Sequence, residues 1–412
     1  MKFDTIIIGG GLTALTAGIY LAKRQKRVAI ISSGQSTLHF NSGSLDLLGY
    51  DNDGNEINHP LDAINSLPAN HPYHKLGNNI EFLVNDARQL LEAASINVNG
   101  HNSTNHYRIS PIGELLPTWL TFDGLANLDS KTSPWKNVIL ANVKGFLDFQ
   151  VNFIKPALEK LGTNVISKTF TTPKLERARQ NPSEFRATNI AKYIDESDVK
   201  EIANQINNMG TADAVLLPAV FGIDNNNVLT ELRKKANMPI ELLATMHPSI
   251  TGIRMSNLLI RHFQTLGGLF FQSDIVTGAE IKNRRVQFVT TQNMVEEHME
   301  AQNFILATGT FMSRGLRSNY KEIWEPIFNL DVDYAKERKD WHYDQFSENQ
   351  PFMSFGVRTD ENLHGIKDGM VIENLYAAGS ILSGNDFLKF RDHEGVDMLT
   401  ALQAASQVSN VK

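Results

Sequence analysis

Three consecutive glycines near the start, Gly9, Gly10 and Gly11, constrain this chain more than any other feature. Phe3 to Ile8 before them is a short, isoleucine-rich apolar run, and Leu12, Leu15, Ile19 and Leu21 after them recur at helical spacing. Arg27 to Ile31 is a second apolar run. Strand, tight turn, helix and strand in that order are the βαβ unit of a dinucleotide-binding fold. In that reading Gly9 permits the sharp turn, Gly11 lets a phosphate approach the backbone, and Ala14 and Gly18 let helix and strand pack closely. The free amides that open the helix attract the phosphate. Gly9, Gly10, Gly11, Thr13 and Ala14 are therefore the first candidate cofactor-binding residues.

One part of the pattern is missing. A carboxylate expected about 20 residues on, at the end of the second strand, would hold the ribose hydroxyls of an adenosine. Ser32 and Ser33 stand there instead. Two readings follow: a serine hydroxyl does the same work more weakly, or the cofactor lacks adenosine. The second makes FMN the first choice, with FAD as the alternative.

A chain of 412 residues exceeds one compact core and predicts two domains, or one domain with a large insertion. The net charge of −6 argues against nucleic acid as a partner and gives no attraction to anionic lipid. With no cysteine, the chain needs no disulfide and cannot itself ligate an iron–sulfur cluster by thiolate, so any cluster belongs to another subunit. No apolar run approaches the ~20 residues of a membrane helix, and the first strand begins at once with no signal peptide before it. The expectation is a cytoplasmic chain that meets a membrane only through partners.

Gly34 to Gly49, GQSTLHFNSGSLDLLG, is too apolar for a solvent loop and suits a flavin ring, with His39, Ser42, Gly43 and Ser44 as candidate contacts. Asn79 to Ala94 has helical periodicity. From Ser133 to Thr245, strands and helices alternate in a second α/β set, read as an inserted cap. There Asn137–Ala141, Asn164–Phe170, Ala212–Leu217 and Ile240–Thr245 are strands, and Gly145–Leu161 is a helix interrupted at Pro156. Gly252–Leu266 is a further helix, and Leu269–Glu300 reads as an antiparallel meander.

Two more glycine-bearing strand ends follow. FILATG places Thr308 and Gly309 beside the cofactor phosphates. NLYAAGSILSGN places Gly379 at a strand end, with Ser380 where many FAD enzymes carry a ribityl-binding acid. The resulting fold class is α/β, a Rossmann-type FAD/NAD(P)-binding fold with a split nucleotide domain and an inserted α/β cap. Residues 1–50, 247–310 and 366–412 form the flavin domain in this reading, and 51–246 with 311–365 the cap or substrate domain.

These three motifs in this order resemble the glutathione-reductase-type flavoproteins. The stretches SSGQSTLHFNSGSLDLLG, NPSEFRATNIAKYID, LPAVFG, HPSITGIRMSNLLIRHFQTLGG, ILATGTFMSRGL and FGVRTDE resemble, more narrowly, the family of anaerobic glycerol-3-phosphate dehydrogenase B subunits. The resemblance spans nearly the whole chain. It implies a bacterial, three-subunit enzyme that oxidises sn-glycerol 3-phosphate to dihydroxyacetone phosphate. It also implies FMN in this subunit, electron transfer toward the quinone pool for fumarate or nitrate respiration, and a place on the cytoplasmic face of the inner membrane. The implied partners are a larger flavoprotein subunit and an iron–sulfur subunit. Phe387–Val396, FLKFRDHEGV, departs from the family's glycine- and cysteine-rich pattern, which puts a carried-over role for that segment in doubt.

Oxidising a secondary alcohol needs a base, and a phosphate substrate needs cations. His247 and Arg254 in HPSITGIR are the candidate catalytic pair, with Arg358, Arg391 and His393 as further cations and Arg186 as an anchor of the cap. Glu296, Glu297, His298 and Glu300 read as an exposed polar turn, since no second ligand cluster accompanies them. Other readings stay open: an electron relay whose larger partner holds the substrate, a succinate- or fumarate-type FAD oxidoreductase, or a scaffold that has lost its cofactor.

Overall fold

The computed structural model describes residues 1–294 and 297–410 and divides into two compact units. The first comprises Met1–Thr37, Leu45–Ser95 and Leu259–Lys412, and the second Leu38–Ser44 and Ile96–Leu258.

The first unit is built on five parallel strands: β1 (Lys2–Ile8), β2 (Val28–Ser32), β3 (Leu269–Gln272), β4 (Met299–Leu306) and β5 (Met370–Ala377). Their order is β3-β2-β1-β4-β5, so the chain reverses direction across the sheet between β1 and β4. In open α/β sheets ligands bind at the carboxyl ends of the strands at such a reversal. Ile6, Ile7 and Ile8 are all buried, as expected of a central parallel strand covered on both faces. Helix α1 (Leu12–Ala22) packs on β2 and on the last helix, α2 (His393–Asn410). Gly18 makes that packing possible, because a Cβ there would lie 2.7 Å from Ile30 Cδ1 and 3.0 Å from Phe263 Cε2. A hairpin, Val276–Lys282 with Arg285–Thr291, extends the sheet antiparallel from β4, and His364–Lys367 pairs antiparallel with β5.

The second unit holds a four-stranded parallel sheet in the order Ile240–Leu243, Ala214–Pro218, Asn137–Val143, Asn164–Phe170. Helices Val151–Lys160, Val199–Asn207 and Asn227–Lys235 connect its strands. The hairpin His106–Ile109 with Leu115–Thr118 belongs to the same unit.

The expected α/β class and split nucleotide domain are present, with different boundaries. Residues 51–95 and 311–365 group with the nucleotide sheet, not with the inserted unit. Helix Ile80–Ala93 explains part of this: its apolar face of Leu83, Val84, Ala87, Leu90 and Leu91 is buried, and the helix packs on α1 and α2. Leu269–Gln272 is not the start of a meander but the parallel edge strand beside β2. The helix expected from Gly145 begins at Val151, and Pro156 lies within it. Gly145 itself has φ +82°, which no helix admits.

Candidate functional site

In the first unit, the ends of β1, β4 and β5 converge on glycines. Gly9 has φ +128°, and a Cβ there would sit 2.0 Å from the Ala307 carbonyl oxygen, so only glycine lets the end of β1 lie against the end of β4. Gly10 packs on Ser32, where a Cβ would meet Oγ at 2.0 Å. Gly11 differs from both. It opens α1 with φ −86°, no atom lies within 4 Å of where its Cβ would be, and among the described residues no side chain caps the helix. Open space above uncapped helix amides is the geometry that accepts a phosphate.

Thr13 and Ala14 lie in the first turn of α1, both buried. A Cβ on Gly379 would come within 2.1 Å of Thr13 Oγ1, so the bend after β5 rests directly on α1. Gly379 N donates to Thr400 Oγ1 at 2.7 Å, and Ser380 N to Asp397 Oδ1 at 2.9 Å. Thr308 Oγ1, at the end of β4, is buried without a hydrogen-bond partner among the described residues, and a Cβ on Gly309 would come 3.6 Å from Ser380 Oγ. Gly9, Gly11, Thr13, Thr308, Gly309, Gly379 and Ser380 thus share one edge of the sheet, and this edge fits the phosphate and linker of a flavin nucleotide. Ser32 serves differently: its hydroxyl donates to the Gly34 carbonyl at 2.9 Å. Ser33 is exposed.

The remaining candidate cofactor contacts and the candidate catalytic pair belong to the second unit. Gly43 has φ +89°, and its N–H donates to Asn41 Oδ1 at 2.8 Å. Ser42 and Ser44 hydroxyls lie 3.0 Å apart, and Arg108 Nη1 donates to Ser42 Oγ at 3.3 Å. Ser249 N donates to the His39 carbonyl at 2.9 Å, and Ser249 Oγ to the Asn41 carbonyl. These bonds tie the 39–44 turn to the segment that follows His247. The His247 ring packs edge-on against Phe40 at 5.8 Å. It keeps an exposed edge. Its pKa is nevertheless lowered, first by desolvation among its neighbours and then by the positive charge of Arg108. Burial lowers the His39 pKa as well. His247 is therefore a neutral imidazole near pH 7, able to accept a proton.

Arg254 is 6% exposed, and its Nη1 donates to the carbonyls of Gly222 at 3.2 Å and Asn225 at 3.3 Å and to Asn226 Oδ1. Desolvation lowers its pKa to about 10, with Asp123 opposing the shift. This guanidinium holds a loop. Arg358 pairs with Asp333 at the surface, and Arg186 with Asp148 at 2.8 Å. In the departing segment, Asp392 is fully buried against His71 at 2.8 Å, and His393 faces Asp397 at 3.7 Å. Glu296 lies outside the described residues. Near it, Glu300 pairs with Lys2 and His298 stacks on Phe288. Among the described residues no group of three or more metal-ligating side chains occurs.

Two polar residues escaped the sequence reading. Arg108 sits in a strand, HYRI, whose alternation reads as ordinary packing. Asp397 is an acid inside an apolar helix and reads as one polar turn. For Asp397, a charge embedded in an apolar run was the available signal; the polar surroundings of Arg108 offered none.

The parallel sheet, its order and the bare glycine edge define a nucleotide-binding flavoprotein. Consistent with that, residues 4–391 match the family model of the FAD binding domain. The chain is 39% identical to the B subunit of the anaerobic glycerol-3-phosphate dehydrogenase of Yersinia pestis bv. Antiqua (strain Antiqua), covering 99% of this chain and 98% of that protein. It is 36% identical to the corresponding B subunit of Pectobacterium atrosepticum, covering 99% of both. It is 34% identical to that of Pasteurella multocida, covering the whole of both. The chain belongs to the family of anaerobic glycerol-3-phosphate dehydrogenase B subunits.

The matched domain is an FAD-type flavin domain, so the flavin expectation stands and FMN as first choice is not supported. The missing carboxylate at Ser32 removes one hydrogen-bonding group, a matter of about 1–3 kcal/mol, and leaves the phosphate cradle intact. Among the described residues no helix is long and apolar enough to cross a membrane.

Proposed function

We propose that this chain is the flavin-bearing B subunit of an anaerobic glycerol-3-phosphate dehydrogenase, with FAD as its cofactor. The observation that carries the reading is 39% identity over nearly the full length to a subunit of that name, on a fold whose bare strand ends suit a flavin nucleotide. The reaction is oxidation of sn-glycerol 3-phosphate to dihydroxyacetone phosphate. The partners are a larger flavoprotein subunit and an iron–sulfur subunit that pass electrons to the quinone pool at the inner face of the bacterial membrane. A chain without cysteine needs such a partner for any thiolate-held cluster.

Bound FAD supplies a ring that takes a hydride from the substrate carbon. The first-unit glycines at 9, 11, 309 and 379, with Thr13, Thr308 and Ser380, bind its phosphates and linker. Within the second unit, neutral His247 is the group suited to take a hydroxyl proton at one ring nitrogen, and Arg108, whose charge it feels, is a cation suited to a phosphate. Ser42, Gly43 and Ser44, with His39, shape the polar turn next to that pair.

Arg254 positions the 222–226 loop. Its engagement there also favours a second reading, in which the larger subunit holds the substrate and this chain relays electrons. Co-purified complex decides between them. Acid-released cofactor from this chain alone should run as FAD on chromatography, and in the complex glycerol 3-phosphate should reduce a dye. In the substrate-binding reading His247→Ala abolishes dye reduction, and in the relay reading it leaves the rate unchanged. If this chain by itself is colourless, both readings fail.

A further inference from the structure

We propose that Asp397, from the last helix, is the carboxylate that accepts hydrogen bonds from the hydroxyls of the flavin's ribityl linker. The position after Gly379, where an acid would serve that linker, is Ser380. The structure brings a carboxylate to the same bend from another element. Asp397 Oδ1 accepts the Ser380 N–H at 2.9 Å. A Cβ on Gly379 would lie 2.7 Å from that oxygen and 2.1 Å from Thr13 Oγ1. The carboxylate therefore lies beside the bend after β5, where that bend meets the first turn of α1. Glycine at 379 is what leaves room for it.

Asp397 is 8% exposed. Its Oδ2 makes no hydrogen bond among the described residues; His393 Nε2 lies 3.7 Å away, beyond hydrogen-bond distance. A partly covered carboxylate oxygen that water still reaches, with no donor from the protein, is open to a ligand that donates to it. A phosphate does not suit it, since like charges repel. A single carboxylate without companion ligands does not suit a metal either. A neutral chain bearing several hydroxyl donors does, and a flavin nucleotide places such a chain between its ring and its phosphate. The assignment rests on the flavin reading above.

The experiment titrates apo-protein with FAD and with an FAD analogue whose linker carries no hydroxyls, following flavin fluorescence. In the wild type the analogue should bind at least ~10-fold more weakly than FAD, an arm that needs no variant. Asp397→Asn keeps an oxygen for Ser380 N and should lose about the same factor for FAD while leaving the analogue's affinity unchanged. Equal binding of both ligands by the wild type overturns the assignment. So does an Asn variant that binds FAD normally or loses both ligands alike, which marks Asp397 as a support of the bend. A wild-type chain that binds no FAD overturns the cofactor reading itself.

Discussion

Each unit is built on a parallel sheet, and the two sheets end differently. In the first, the turns after β1, β4 and β5 carry Gly9, Gly309 and Gly379 at φ +128°, +71° and +77°, and Gly11 faces open space. In the second, the turn after Pro218 runs through Ala219, Val220 and Phe221, all buried. It closes at Gly222, where a Cβ would lie 1.9 Å from the Asn225 carbonyl oxygen, and Arg254 is bonded into it. One edge is left bare and the other is filled with side chains. A parallel sheet alone does not make a nucleotide site; the residues at its strand ends do.

The strongest way to break this comparison is to put a methyl group on each edge. Gly9→Ala forces a β-carbon against a neighbouring backbone at a φ that favours glycine. It should cost on the order of 2–4 kcal/mol in urea unfolding. Gly222→Ala should destabilise by a similar amount, while the protein that folds keeps its flavin. Gly11→Ala has neither clash nor strain, so its stability should stay within about 0.5 kcal/mol of wild type. Its flavin-to-protein ratio should nevertheless collapse, because the methyl occupies the space a phosphate needs. A Gly11→Ala protein with full flavin content would remove the distinction between the edges.

Arg254 offers the next largest effect. Arg254→Ala strands the Gly222 and Asn225 carbonyls and the Asn226 amide oxygen, costing about 2–4 kcal/mol. Protein that still folds should show a KM for glycerol 3-phosphate within about twofold of wild type. A stable variant with a greatly raised KM would instead return Arg254 to substrate binding.

That arginine also shows where sequence reading stops. Its spacing from His247 and its place near a helix start were legible, but its acceptors were not, because they lie in a loop some 30 residues away in sequence. The glycine edge was legible because a positive φ and a close approach each restrict the residue type at one position. The fate of Leu269–Gln272 was not: alternation marks an extended segment without naming its partner, and only the pairing with β2 makes it parallel. Helix Ile80–Ala93 showed its apolar face plainly, yet nothing in that face says it is buried against α1 and α2. Periodicity reveals which side of an element is covered, and long-range contacts decide what covers it.

A smaller effect sharpens the comparison by testing the polar part of the second unit. The His247 pKa lies below its ordinary 6.5 in the folded chain, so the neutral base predominates at pH 7 and kcat/KM should fall only on the acid side, below pH 6.5. Arg108→Gln removes the positive neighbour and should move that limb upward. It should stop short of 6.5, because desolvation, the larger cause, remains. The linkage has a matching sign: a folded-state pKa below the unfolded one means that folding loses stability as pH falls through 6.5 toward the folded value. An acid limb that does not move in Arg108→Gln would detach His247 from the observed rate.

The smallest expected effect concerns how the filled edge is held. Arg186 reaches Asp148 at 2.8 Å, with its own side chain 62% exposed, and the Asp148 carbonyl accepts the Met246 N–H on the way to His247. An ion pair in water of this kind contributes about 0–1 kcal/mol and weakens with salt. Arg186→Ala should therefore cost less than about 1 kcal/mol in urea unfolding, and the difference from wild type should shrink in about 1 M salt. The backbone bond to Met246 does not depend on the arginine, so the His247 pH profile should stay where it was. A loss above about 2 kcal/mol, or a shifted acid limb, would mean that charge and not packing fixes the turn before His247. The filled edge would then owe its shape to its surface.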